Sequence, residues 1–157
     1  MEQRINVYQQ AHNAMKPFYS IGAYLSKSPV DHMLLDLINF RVSQINGCAY
    51  CLDMHSKDLR AAGETEQRLY MLAAWRESTF YSNRERAALA WAEAVTNLPG
   101  GQVPDDVYEE ARQHFSEAEL IDLTVGVIAI NSFNRLNIAF RTEAGTYQPG
   151  QHAVLIK

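Results

Sequence analysis

The sequence predicts an all-α fold, and three observations support this prediction. Apolar residues recur at helical spacing along most of the chain, and capping residues, proline and glycine separate these stretches. No run alternates apolar and polar residues for long enough to indicate a β-strand. The length of 157 residues, with 47% apolar and 20% charged residues, is typical of one globular domain spanning residues 1–157.

The first three helices are predicted in the N-terminal part of the chain. Their expected ranges are about 11–26, 31–45 and 48–62. Pro17 falls near an early turn or kink of the first helix. Asn46-Gly47 is a turn signal that ends the second helix and allows the third to begin directly afterwards.

Four further helices are predicted, which brings the total to about six to seven. The fourth spans 64–75, and the fifth spans 84–96 with Asn83 as its cap. The sixth begins at Pro104, and the seventh opens with the capping-box pattern Ser116-Glu117-Ala118-Glu119 and runs to about residue 141. Residues 143–157 are expected to form an irregular tail. Several helices carry apolar residues on more than one side, which predicts burial in a homo-oligomer.

Charge and hydropathy exclude some classes of protein. A net charge of −4 is unfavourable for binding nucleic acid. The segment MEQRINVYQQ lacks the apolar core of a signal peptide, so we expect a cytoplasmic protein whose thiols are kept reduced. The most apolar stretch, residues 120–140, contains five polar residues, so we expect a buried core helix and no association with a membrane.

The segment from Asn46 to His55 is the most informative part of the sequence. It holds both cysteines, Cys48 and Cys51, and His55 follows four residues after the second. Side chains three and four residues apart share one face of a helix, and Cα atoms three apart lie roughly 5 Å from each other, which permits a reversible disulfide. A position at a helix N-terminus favours the thiolate of Cys48, whereas the adjacent base His55 favours that of Cys51. The pattern predicts thiol redox chemistry.

Asp36 is the candidate partner of the histidine. If the second and third helices form an antiparallel hairpin, Asp36 and His55 lie within roughly one turn of the same level. A carboxylate inside an otherwise apolar stretch needs a partner. The hypothesis is a relay from Asp36 through His55 to Cys51, while pairing of Asp36 with Arg41 or Lys57 is the alternative.

Other interpretations of these residues remain open. The cysteines could be two packed helical thiols, or Cys48, Cys51, His55 and Asp36 could bind zinc, although structural zinc sites usually draw ligands from two separate clusters. Asn131, Asn134 and Arg135 interrupt the most apolar helix. They could be hydrogen-bonded core residues, an oligomer contact or the lining of a cavity.

The run from Phe40 to His55, FRVSQINGCAYCLDMH, closely resembles the core motif of the carboxymuconolactone decarboxylase superfamily in its alkylhydroperoxidase-D-like (AhpD-like) branch. The resemblance continues through GETEQRL, AAWRES and RERAALAWAEAVT and covers about residues 15–142. It implies an AhpD-like helical fold, an interlocked homo-oligomer such as a dimer or trimer of dimers, and thiol-dependent peroxidase activity with no cofactor and no metal. The partners would be a hydroperoxide substrate and an unidentified thiol reductant.

The resemblance also implies roles for individual residues. Cys51 would attack the hydroperoxide, Cys48 would resolve the sulfenic acid as a disulfide, His55 would relay protons and Asp36 would supply the relay acid. The family usually has glutamate where this chain has Asp36, so the relay is expected to need a water or to be weaker. Tyr50 replaces a histidine of the best-studied peroxidase branch. A disulfide reductase or redox sensor is the alternative function, and lactone decarboxylation is less favoured because the true decarboxylases lack this dithiol.

Overall fold

A computed structural model describes residues 2–151 of the chain, apart from the side chain of His12, and places eight α-helices among them. The helices are α1 (Val7–Gln10), α2 (His12–Leu25), α3 (His32–Asn46), α4 (Ala49–Ala61), α5 (Glu66–Met71), α6 (Asn83–Asn97), α7 (Asp105–His114) and α8 (Glu117–Phe140). No strand occurs within residues 2–151, so the all-α prediction is confirmed. The helix missing from the prediction is the single turn α1, which Asn6 caps by accepting a hydrogen bond from the backbone of Gln9.

Several predicted helix boundaries differ from those in the structure. The fourth helix is shorter than 64–75, because α5 ends at Met71 and a 3₁₀ turn follows. The cap of α6 is Ser82 and not Asn83, since the Ser82 backbone is extended and its hydroxyl accepts from the Glu85 N–H in a capping box. Pro104 precedes α7 as its N-cap residue, and the helix begins at Asp105.

A tight turn joins α3 and α4 into the predicted hairpin. Gly47 has a left-handed conformation, with φ of 69°, that only glycine adopts without strain. The Gly47 N–H donates to the carbonyl of Gln44 and the Cys48 N–H to that of Ser43, which completes a Schellman motif. The turn therefore delivers the chain directly from the end of α3 to the first residue of the cysteine motif.

The helix α8 is the core helix of the fold. By length and composition alone it could cross a membrane. In the structure it packs against α2, α3, α4, α6 and α7, as the central helix of a globular protein does. The predicted capping box at Ser116 is present at its start.

The polar residues of α8 hold the end of α3 in place. The Asn46 side-chain amide donates to Asn131 Oδ1 at 2.9 Å and to Asn134 Oδ1 at 2.8 Å, and Asn134 Nδ2 donates to Ser43 Oγ at 3.1 Å. We call Asn46, Asn131 and Asn134 the asparagine network. Among the alternatives left open by the sequence, Asn134 is a buried, hydrogen-bonded core residue and Asn131 is half-buried and hydrogen-bonded to Asn46. Arg135 is exposed and donates to Asn131.

Candidate active site

The two cysteines lie at the start of α4. Cys48 is the N-cap residue and not the first helical residue, because its extended backbone turns the sulfur back over the helix end, where it accepts from the Cys51 N–H at 3.4 Å. The two residues are joined as a disulfide with a Cα–Cα distance of 5.4 Å, close to the distance expected from helical spacing. The disulfide is therefore compatible with an intact first turn of α4.

A cavity of about 440 Å³ lies between α2, α3, α4 and α8. Its walls are mainly apolar and aromatic, and they include Phe18, Leu35, Met54, Ile130 and Phe133. Cys51, His55 and Asp36 all line the cavity, whereas Cys48 is not among the described residues that line it. Of the two cysteines, Cys51 is therefore the one in contact with the cavity.

His55 and Asp36 face each other across the α3–α4 hairpin. His55 is buried one turn beyond Cys51, and its Nδ1 lies 3.9 Å from Asp36 Oδ1. The structure therefore brings together the three residues of the hypothesised relay. The distance of 3.9 Å is too long for a direct hydrogen bond and agrees with the short reach expected of aspartate. One water in contact with both side chains could bridge this gap.

The environment of Asp36 favours its protonated form. Burial in the cavity raises the pKa of Asp36 from 3.8 to about 6, and the nearby carboxylate of Asp58 acts in the same direction. His32 and a hydrogen bond from Asn39 oppose this shift. A carboxyl group that titrates near neutral pH is suited to proton transfer.

The alternative partners of Asp36 are engaged elsewhere. Arg41 Nε lies 2.7 Å from Glu93 Oε1, and Lys57 Nζ lies 2.9 Å from Asp53 Oδ1. Burial alone would raise the pKa of Glu93, but its hydrogen bonds hold that pKa below its ordinary value. Both cations are thus neutralised without Asp36.

Asn137 is a site residue that was not singled out from the sequence. Its Nδ2 donates to Cys51 Sγ at 3.5 Å and to the Phe133 carbonyl at 3.0 Å, while its Oδ1 accepts from Tyr8 at 3.1 Å. The only signal in the sequence was a polar residue that interrupts the apolar α8. Contact with Cys51 depends on how α8 packs against α4, which spacing along the chain does not specify.

The irregular segment after α8 also contributes to the site. Residues 145–150, which we call the strap, lie along α4. The Gly145 N–H donates to Asp53 Oδ2 at 2.9 Å, and Lys57 Nζ donates to the Tyr147 carbonyl at 3.0 Å. The expected tail of 143–157 is therefore packed through the strap, while residues 152–157 lie outside the described part of the chain.

Tyr147 closes one side of the cavity. It is only 3% exposed, and its hydroxyl donates to the carboxylate of Asp58 at 2.8–2.9 Å. Burial, reinforced by the Asp58 carboxylate, raises the pKa of Tyr147. The strap thereby fixes the position of Asp58, the second carboxylate on the cavity wall.

No group of three or more histidine, cysteine, aspartate or glutamate side chains in the described residues is arranged to hold a metal ion. The zinc set considered above consists of Cys48, Cys51, His55 and Asp36, and in this structure its two sulfurs are bonded to each other.

Known proteins share both the sequence and the fold. The model of the carboxymuconolactone decarboxylase family matches residues 11–94. The uncharacterised protein YdfG of Bacillus subtilis is 43% identical over 93% of this chain and 99% of its own length. The alkyl hydroperoxide reductase AhpD of Streptomyces coelicolor is 42% identical, but over only 39% of this chain and 36% of its own length.

A solved structure extends the similarity to the whole fold. It is a protein of unknown function from Agrobacterium tumefaciens, proposed to be the antioxidant defence protein AhpD. It is 39% identical, covers 93% of this chain and 100% of its own, and superposes with a TM-score of 0.88. The predicted AhpD-like fold is thus confirmed, and the chain belongs to the carboxymuconolactone decarboxylase family.

Proposed function

We propose that this protein is a thiol peroxidase that reduces organic hydroperoxides with Cys51. One observation carries the proposal: Cys51 lines the apolar cavity together with His55 and Asp36, whereas Cys48 is not among the described residues that line it. The base and the cavity therefore favour Cys51 as the attacking residue, even though the helix N-terminus favours the thiolate of Cys48. The partial match to the alkyl hydroperoxide reductase AhpD gives independent support.

The reaction follows from the order of the groups in the cavity. The Cys51 thiolate attacks the terminal oxygen of the hydroperoxide, the O–O bond breaks, and the alkoxide leaves as an alcohol after taking a proton from His55. The product on the protein is the sulfenic acid of Cys51. Asp36 orients His55 and returns a proton to it through a water.

The second half of the reaction uses Cys48. Its thiolate attacks the Cys51 sulfur, the S–O bond breaks, and hydroxide leaves as water after protonation. An external dithiol then reduces the Cys48–Cys51 disulfide and is itself oxidised to a disulfide. No metal or organic cofactor takes part in this scheme.

Direct exchange with a protein disulfide is less compatible with the site. Cys48 and Cys51 are each only 1% exposed, so a folded disulfide protein would not reach either sulfur without local opening. Small oxidants, in contrast, fit a cavity of about 440 Å³. Burial therefore favours small oxidants over protein disulfides as substrates of Cys51, and by the same argument the external dithiol must be small enough to enter the cavity.

We further propose that the chain acts in the cytoplasm as a homo-oligomer, independently of nucleic acid and membranes. Ile121 and Ile128 of α8 are 62% and 53% exposed and lie two turns apart on one helix face, which supports association of copies. Light scattering of the purified protein tests this, and a monomer at all concentrations would contradict it.

A stopped-flow assay tests the peroxidase activity. Reduced protein is mixed with cumene hydroperoxide, and the wild type is compared with Cys51→Ser and Cys48→Ser. We expect peroxide consumption to be lost in Cys51→Ser, whereas Cys48→Ser should consume one equivalent and retain a sulfenic acid that dimedone labels. An undiminished rate in Cys51→Ser, or no turnover by the wild type with a dithiol present, would refute the proposal.

A further inference from the structure

We propose that Asn137 is a catalytic residue that stabilises the anionic sulfur of Cys51 through a side-chain N–H donor, and that Tyr8 holds its amide in the required orientation. This inference rests on the proposed function of Cys51 as the attacking thiolate. The contact is formed between residues far apart in the chain, on α8 and α4, so it is a product of the tertiary fold.

The partners of Asn137 determine which atom of its amide faces the sulfur. The Phe133 carbonyl can only accept a hydrogen bond, so the atom 3.0 Å from it must be the amide nitrogen. The same nitrogen carries a second N–H. The nitrogen lies 3.5 Å from Cys51 Sγ, so this N–H is the one that donates to the sulfur. Tyr8 completes the arrangement by donating to Oδ1 at 3.1 Å. A donor is therefore held at the sulfur before any reaction begins.

The two sulfurs each have a different N–H donor. Cys48 accepts from the backbone N–H of Cys51, at the N-terminus of α4. Cys51 lies inside the first turn, where its sulfur does not share this cap, and it accepts instead from Asn137. Asn137 on α8 thus provides the Cys51 sulfur with an N–H donor, as the N-terminus of α4 does for the Cys48 sulfur.

The contact becomes stronger when the sulfur is charged. In the disulfide the sulfur is neutral and a weak acceptor, whereas in the thiolate the same N–H forms a charge-assisted bond. Cys51 is only 1% exposed, so water contributes little to stabilising this anion. Asn137 therefore favours the reactive form of Cys51 over the disulfide and the neutral thiol.

The pH dependence of Cys51 alkylation tests this inference without requiring peroxidase activity. All variants carry Cys48→Ser so that iodoacetamide reports on Cys51 alone. We expect Asn137→Leu to move the midpoint of the rate–pH profile upward by about one pH unit. This shift corresponds to a tenfold loss of thiolate below the midpoint, or about 1.4 kcal/mol less stabilisation of the thiolate relative to the thiol. Tyr8→Phe should move it in the same direction by a smaller amount.

Asn134→Leu is the matched control, because Asn134 is also a buried asparagine of α8 but bonds to Asn46 and Ser43. It should destabilise the fold and leave the alkylation midpoint unchanged. An equal shift in this control, or no shift in folded Asn137→Leu, would overturn the inference. If Asn137→Leu does not fold, an unshifted midpoint in Tyr8→Phe overturns it instead.

The outcomes separate this inference from the proposed function. A shifted midpoint in a protein that does not turn over hydroperoxides would retain the role of Asn137 and reject the peroxidase. Hydroperoxide turnover with an unshifted midpoint would retain the peroxidase and reject the role of Asn137.

Discussion

Asp36→Asn is expected to make the protein more stable at neutral pH while it lowers the rate of hydroperoxide reduction. The Asp36 carboxyl is favoured in its protonated form by the cavity, so its ionisation above pH 6 opposes folding. An amide of the same shape carries no charge at any pH and removes this cost. The same change deprives His55 of its relay acid, so stability and activity should move in opposite directions.

The magnitude and its sign follow from linkage. The pKa of Asp36 is about 6 in the folded chain and 3.8 as a reference for the unfolded chain. Between these values the folded chain holds a proton that the unfolded chain has released, so folding becomes less favourable as pH rises. A difference of about two pH units corresponds to roughly 3 kcal/mol for a fully buried group. The Asp36 side chain is 38% exposed, and screening by water reduces the expected effect to about 1 kcal/mol.

Urea unfolding at a series of pH values measures this effect. We expect wild type and Asp36→Asn to have equal free energies of unfolding near pH 4 and to differ by about 1 kcal/mol at pH 7. Asp31→Asn is the control, since it makes the same chemical change at the N-cap of α3, where asparagine caps as well as aspartate. A pH-independent difference, or a less stable Asp36→Asn at pH 7, would refute this reasoning.

Three further substitutions have defined outcomes. Asn46→Leu removes two amide hydrogen bonds to α8 and should lower the free energy of unfolding, measured in urea, by roughly 2–3 kcal/mol. An unchanged free energy of unfolding would mean that the asparagine network does not stabilise the fold. Gly126→Ala should raise the free energy of unfolding by about 0.5–1 kcal/mol, because a Cβ there meets the ends of two flexible side chains, Leu35 at 3.4 Å and Leu25 at 3.9 Å, and a loss of stability would contradict that spacing. Tyr147→Phe removes the hydrogen bond to the Asp58 carboxylate and should lower the free energy of unfolding by about 2 kcal/mol in thermal melts. An unchanged melting temperature would mean that this bond does not hold the strap in place.

Local sequence patterns predicted the parts of the fold that neighbouring residues determine. The Asn46-Gly47 turn and the Ser116 capping box lie where they were predicted, because each depends on residues at most five apart. The dependence on nearby residues also explains why Asn83 was wrongly predicted as the cap of α6 in place of Ser82. The S-x-x-E pattern begins at that residue, one position before Asn83, and the reciprocal bonds of Ser82 and Glu85 decide which residue is the cap.

The candidate site was predictable only as far as the α3–α4 hairpin extends. Helical spacing and the turn between the two helices were enough to group Cys51, His55 and Asp36. Asn137 and Tyr147 reach the site from α8 and the strap, more than 80 residues away from their partners. No spacing rule connects such distant residues, because their proximity depends on how whole helices pack.

Because of the strap, the shape of the cavity wall and the placement of the cysteine motif depend on different segments of the chain. Cys51, His55 and Asp36 sit on the helices α3 and α4, while part of the cavity wall is an irregular segment attached to α4 by side-chain bonds. Irregular segments accept insertions and altered sequence more readily than helices do. Changes confined to this wall would thus alter which ligands fit the cavity and leave the Cys48–Cys51 pair undisturbed.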